Sequence, residues 1–281
     1  MLLFRRVTIV GLGLIGGSLG MAIRRKHLAR EVVGLSRSAA VIRRARARGA
    51  IDRGTRHGAE AVAAADLVII ATPVDAIVPT AMRLRRLMRP GAILTDVGST
   101  KGRIVSRLER ALAGRVRFVG SHPLAGSERR GIEAAQAGLF TGAACVVTPT
   151  SNTDRRALAQ VRRLWRALGL RVVSMGPAAH DRVLGAVSHL PHLAAFALTA
   201  STDRRALALA PCSFLEATRV ANSDPDLWDD ILLDNRAAVR AALRRFGASL
   251  KSYDRALRRN DRRSLRALLR RAHAIRQRLP E

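Results

Sequence analysis

Three glycines in VTIVGLGLIGGSLG, namely Gly11, Gly13 and Gly16, follow a short apolar run and open a helix-like one. This is G-x-G-x-x-G spacing at a strand-to-helix turn. Gly11 permits the tight turn, Gly13 lets backbone approach a pyrophosphate, and Gly16 lets helix and strand pack, while the helix N-terminus favours phosphate charge. The loop Gly11, Leu12, Gly13, Leu14, Ile15, Gly16 is therefore read as a dinucleotide cradle. After the second apolar run, where a carboxylate would bind the ribose hydroxyls of NAD, the chain has Leu35-Ser36-Arg37-Ser38. Arginine and serine at that point suit a 2′-phosphate, so NADP is the expected cofactor, with NAD as the alternative.

Ligands of open α/β sheets lie outside the carboxyl ends of the strands. The residues after the later apolar runs are Thr72-Pro73, then Ser99 and Lys101 in DVGSTKG, then His122 in GSHP. A serine, a lysine and a histidine would thus surround the reactive end of the cofactor. Histidine is the side chain suited to take a proton from an alcohol near neutral pH. His189 and His192 stand three apart around Pro191, but further ligands at metal spacing are missing, so no metal is expected. His27, His57, His180 and His273 belong to no motif and default to surface or loop roles.

The elements that must position these groups follow from periodicity. Apolar runs at Val7 to Val10, Val32 to Leu35, Leu67 to Ala71, Ile93 to Val97 and Val116 to Val119 alternate with helix-like stretches, which is a βαβ series with a parallel sheet. Two further strands are expected at Ala144 to Thr148 and Arg171 to Ser174. Between them a helix carries Leu158, Val161, Leu164, Trp165 and Leu168. After Gly176-Pro177 the pattern is helical only. Leu243, Phe246, Leu250, Tyr253 and Leu257 step by three and four, Asn260-Asp261 offers a helix start, and Leu265, Leu268, Leu269, Ala272 and Ile275 repeat the step. The fold class is α/β: a Rossmann-type dinucleotide-binding domain over 1–176 and an all-helical domain over 177–281. The helical stripes either pack within the chain or bury a dimer partner.

The chain of 281 residues has a formal charge of +29, which alone would suggest nucleic acid or an acidic membrane. Only three of the 50 basic residues are lysine, and aromatics are 3%, so GC-rich coding explains the skew better than phosphate contacts or base stacking. No uninterrupted run of 18 apolar residues occurs and the N-terminus passes straight into a strand, so neither nucleic acid nor membrane is an expected partner and the location is read as cytoplasmic. Cys145 and Cys212 have no CxxC spacing and are read as core thiols.

GLGLIGGSL, DVGSTKG, GSHPLAGSERRGIEAA, SHLPHLAAFAL and TRVANSDPDLWDDILLDNR resemble, in order, the signature blocks of prephenate/arogenate dehydrogenases. The resemblance implies a helical dimerisation domain, and hence a homodimer. It also implies oxidative decarboxylation of prephenate to 4-hydroxyphenylpyruvate, or of arogenate to tyrosine. His122 would be the base for the ring hydroxyl, Ser99 its hydrogen-bonding companion, and Arg219 the ligand of the ring carboxylate. Lys101, Ser188, Glu128, His192 and Trp228 would line the pocket. Glu128 and the basic surroundings favour prephenate. The chain ends soon after the helical pattern, so no C-terminal regulatory domain is expected. The rivals are another two-domain reductase, such as a β-hydroxyacid dehydrogenase or an imine reductase, and a non-catalytic nucleotide sensor.

Overall fold

The computed structural model describes residues 2–127 and 129–279. Six parallel strands form the main sheet: β1 (Phe4–Val10), β2 (Ala29–Leu35), β3 (Arg53–Thr55), β4 (Leu67–Ile70), β5 (Ile93–Asp96) and β6 (Arg117–Val119). Their spatial order is β3-β2-β1-β4-β5-β6, the doubly wound dinucleotide-binding order. Helices α1 (Leu14–Arg25), α2 (Ala39–Ala47), α3 (Gly58–Val62), α4 (Val74–Leu84) and α5 (Gly102–Leu112) cover both faces. Covered faces explain why the strands read as unbroken apolar runs. All four residues of Leu67-Val68-Ile69-Ile70 are fully buried. Truncating Ile69 to alanine would cost about 2 to 5 kcal/mol. The order reverses between β1 and β4, which opens a crevice at their carboxyl ends.

The two later strands do not extend this sheet. β8 (Ala144–Val147) and β9 (Arg171–Ser174) form a second, three-stranded sheet with β7 (Ser121–Pro123), separated in sequence by α6 (Arg155–Ala167). Gly120 turns the chain from one sheet to the other. A Cβ there would stand 2.6 Å from Thr148 Oγ1 and 2.8 Å from Val105 Cγ2. β7 and β3 escape the periodicity reading because each has only three residues, of mixed polarity.

The rest is helical: α7 (Pro177–Leu184), a wider π-type turn at Gly185–His189, α8 (Leu190–Ser201), α9 (Arg204–Leu207), α10 (Cys212–Thr218), α11 (Pro225–Asp234), α12 (Arg236–Arg258) and α13 (Arg262–Arg276). Asp261 caps α13 by accepting from Ser264 N at 2.9 Å, as the sequence suggested. The stretch Pro177–Ser201 is long and apolar enough to cross a membrane by length and composition. It is interrupted by His180, Asp181, Ser188, His189 and His192, and these make the contacts described below. The two halves are tied together by Trp228 and Ile231 of α11, buried in one apolar cluster with α4 and α5, and by Asp234, which pairs with Arg103.

Candidate functional site

The glycine loop has the geometry of a phosphate cradle. Gly11 has φ +93°, and a Cβ there would lie 2.5 Å from the carbonyl oxygen of Ala71. A Cβ on Gly16 would overlap the Gly11 carbonyl at 1.9 Å, whereas one on Gly13 would meet nothing within 4 Å. The open space thus lies at the position where backbone must approach a ligand. The N-terminus of α1 has neither a side-chain cap nor an acidic residue in its first turn, which leaves its N–H groups to an anion. Residues and fold both fit a dinucleotide.

Beside the cradle a recess of about 400 Å³ is lined by Leu12, Gly13, Ser36, Val41, Arg44 and Glu133 among others. Ser36 is there as expected, and Arg37 is exposed next to it. Ser38 is engaged otherwise: its hydroxyl caps α2 by accepting from Val41 N at 3.3 Å. Arg44, six residues beyond that cap on α2, escapes sequence reading because nothing marks it among so many arginines. It lies 3.5 Å from Glu133.

On the other side of the loop a cleft of about 780 Å³ runs between the two halves. Gly13, Leu14, Ile15, Thr72, Pro73, Ser99 and His122 line it from the sheet side, and Ser188, His192, Arg219 and Trp228 from the helical side. His192 stacks on Trp228 with ring centroids 3.6 Å apart, and its Nδ1 bonds to the Ser188 carbonyl at 3.0 Å. Burial, with the nearby Arg219 charge, holds His192 below the ordinary histidine range. Glu128 lies outside the described residues.

His122 is 9% exposed and sits on β7, paired across to Val146 of β8. Its Nδ1 meets His180 Nε2 at 2.9 Å, and His180 Nδ1 meets Asp181 Oδ1 at 2.8 Å. Asp181 also accepts from the backbone N–H of Lys101 and Gly102, both at 2.8 Å, and so caps α5 from the other half of the molecule. Burial holds His122 well below the ordinary histidine range, and the charges around His180, Lys101 and His189 push the same way. His180 is depressed by burial against the opposing pull of Asp181. Burial alone would raise Asp181, but its bonds from His180, Lys101 and Gly102 outweigh that and hold it low.

Two expectations are corrected here. Lys101 does not line the cleft: it is fully buried, and its Nζ pairs with Asp96 at the end of β5. A strand-end position fixes height along the sheet but not the direction of the side chain. His180 is neither surface nor loop: it is fully buried and touches the candidate base. His189 is buried edge-on to Trp228, with Asn235 Nδ2 3.1 Å from its Nδ1, in the wall of the cleft.

A dinucleotide cradle, a buried histidine beyond it and a helical half closing the cleft together define a two-part dehydrogenase. The family profile "Prephenate dehydrogenase, nucleotide-binding domain" matches residues 19–174, and "Prephenate dehydrogenase, dimerization domain" matches 176–271. The prephenate dehydrogenase of Bacillus subtilis is 35% identical over 259 residues, covering 89% of this chain and 68% of that protein. The cyclohexadienyl dehydrogenase of Zymomonas mobilis is also 35% identical, covering 89% and 88%. Among solved structures, Aquifex aeolicus prephenate dehydrogenase in complex with hydroxyphenyl propionate and NAD+ superposes with a TM-score of 0.90 at 35% identity, covering 97% of both chains. Synechocystis arogenate dehydrogenase gives 0.84 at 30% identity, over 97% of this chain and 99% of that one. The chain belongs to the prephenate/arogenate dehydrogenase family and is an oxidoreductase. A Mycobacterium tuberculosis 3-hydroxyisobutyrate dehydrogenase, at 18% identity and TM-score 0.55, shares the fold alone.

Proposed function

We propose that this protein oxidatively decarboxylates prephenate to 4-hydroxyphenylpyruvate with NADP, in cytoplasmic tyrosine biosynthesis, as a homodimer of chains divided at residue 176. The observation that carries this is His122: its Nδ1 is engaged by His180, and the residue lines a cleft shared by the glycine loop and Arg219. When bound, the nicotinamide supplies the hydride acceptor for the ring carbon bearing the hydroxyl. His122 Nε2 takes the hydroxyl proton, with Ser99 beside it as hydrogen-bonding partner of that oxygen. Arg219 holds the ring carboxylate until it leaves as carbon dioxide, its bonding pair completing the aromatic ring. The resulting phenolate recovers the proton from His122. Orientation and proton transfer are the protein's contribution, the latter about a hundredfold to ten-thousandfold.

Prephenate is favoured over arogenate because Arg129, Arg130 and Arg219 line the cleft, and arogenate carries an ammonium where prephenate has a neutral keto group. Arogenate is the second reading, supported by the Synechocystis likeness. NADP is favoured because the end of β2 offers Ser36 and Arg37 in place of a carboxylate, and Arg44 lines the same recess. An assay crossing both substrates with both cofactors tests this. Prephenate is expected to exceed arogenate in kcat/KM, and NADP to exceed NAD by roughly tenfold to a hundredfold. The double variant S36D/R37A is expected to shift that ratio toward NAD. A preference for NAD in the wild type, or for arogenate, would overturn the corresponding part.

A further inference from the structure

The helical half contributes more than a wall to the cleft. Asp181 and His180 of α7 form a continuous hydrogen-bonded line that starts at the N-terminus of α5 and ends on His122. With both imidazoles neutral, one proton arrangement is consistent with these contacts. An ionised carboxylate only accepts hydrogen bonds, so the proton between Asp181 and His180 belongs to His180 Nδ1. A neutral imidazole has a single N–H, so His180 Nε2 carries a lone pair and must itself accept. The donor facing it can only be His122 Nδ1–H, which leaves His122 Nε2 without a proton.

We propose that His180, anchored by Asp181, is a positioning residue that locks His122 in its Nδ1–H tautomer, so that Nε2 meets the substrate hydroxyl as a bare acceptor. This rests on the reading of His122 as the base. A free imidazole leans toward the other tautomer, which would offer the hydroxyl a donor and accept no proton. As Nε2 takes up its proton, the Nδ1–H bond to His180 becomes charge-assisted and strengthens. Full burial of His180 disfavours its charged form against the pull of Asp181, and the neutral form is the one that this arrangement needs. The arrangement also explains why a carboxylate from the helical half caps a helix of the sheet half: the cap sets the height of His180 against β7.

The test combines a spectrum with two variants. In 15N-labelled wild-type protein, assigned by comparison with His122→Asn, the His122 signals are expected to show Nδ1 protonated and Nε2 bare. His180→Phe keeps a ring but no acceptor, and is expected to lower kcat by roughly tenfold to a hundredfold, by analogy with the loss of the carboxylate or carbonyl that orients a metal-bound histidine. KM is expected to stay within about threefold, since the loss bears on proton transfer rather than binding. His180→Gln places an amide oxygen near the former Nε2 and is expected to restore most of kcat and the Nδ1–H spectrum. A wild-type spectrum with the proton on Nε2, or wild-type kcat in His180→Phe, would overturn the proposal. If His122→Asn loses turnover while His180→Phe keeps it, the base assignment stands and this inference alone falls. Should His180→Phe not fold, the wild-type spectrum and His180→Gln still decide.

Discussion

The sheet half and the helical half carry equally regular apolar patterns and do different things with them. Around the parallel strands the pattern is satisfied within the chain: Val7, Ile9, Val32, Leu67, Ile69 and Leu94 are all but fully buried. In the long C-terminal helices it is not. α13 has no buried residue, and Leu250 and Leu257 of α12 remain 52% and 64% exposed. Val187 on the Pro177–Ser201 stretch is 68% exposed. Periodicity states that a face is apolar without stating what covers it. The family model matched by this half is described as a dimerization domain, which agrees with the proposal that a second copy of the chain covers these faces.

In the proposed mechanism the halves also divide the chemistry, and two substitutions should separate their roles. Replacing His122 with asparagine, on the sheet side, is expected to cut kcat by about a hundredfold or more with little change in KM. Replacing Arg219 with glutamine, on the helical side, is expected to raise KM by roughly tenfold to a hundredfold, the equivalent of losing about 1.5 to 3 kcal/mol of charge-assisted contact. Steady-state kinetics on both checks the division, and the same pattern in each variant would break it.

The exposed stripe gives the next test. Replacing Phe246 and Leu250 with glutamate is expected to weaken self-association by about a hundredfold or more, because four apolar side chains per dimer would become charged. Light scattering should then find the 30.4 kDa chain alone where the wild type pairs. A wild-type monomer at micromolar concentration would remove the contrast between the halves altogether.

A further effect concerns acid stability. Burial lowers His122, His180 and His189, the last to about 4. The unfolded chain binds protons at these sites from about pH 6.5 downward while the folded chain does not, so stability is full above that pH and declines below it. For His189 the loss accumulates between pH 6.5 and 4 and is on the order of 3 kcal/mol when complete. Thermal unfolding is expected to show Tm falling through this window, with a shallower fall in His189→Gln. Parallel profiles would exclude His189 from the effect.

What the sequence reveals and hides follows the same physics. The glycine loop was legible because G-x-G-x-x-G answers to steric demands met within one turn, as Gly11 and Gly16 show. The parallel strands were legible because both their faces are buried. His122 was legible from its place after an apolar run, although the short strand β7 that holds it was not. His180 gave no signal, since its partner lies 58 residues away and its role exists only where α7 crosses the start of α5. Lys101 was misjudged because Asp96, five residues earlier, turns it inward.

In the proposed mechanism the cleft couples proton removal at His122 to oxidation and loss of carbon dioxide in one turnover. The most direct measurement is the stoichiometry of reduced cofactor, carbon dioxide and 4-hydroxyphenylpyruvate formed from prephenate by the purified protein. Equal amounts of all three are expected at every time point. Reduced cofactor formed without carbon dioxide, or no reduction with either nicotinamide cofactor, would contradict it.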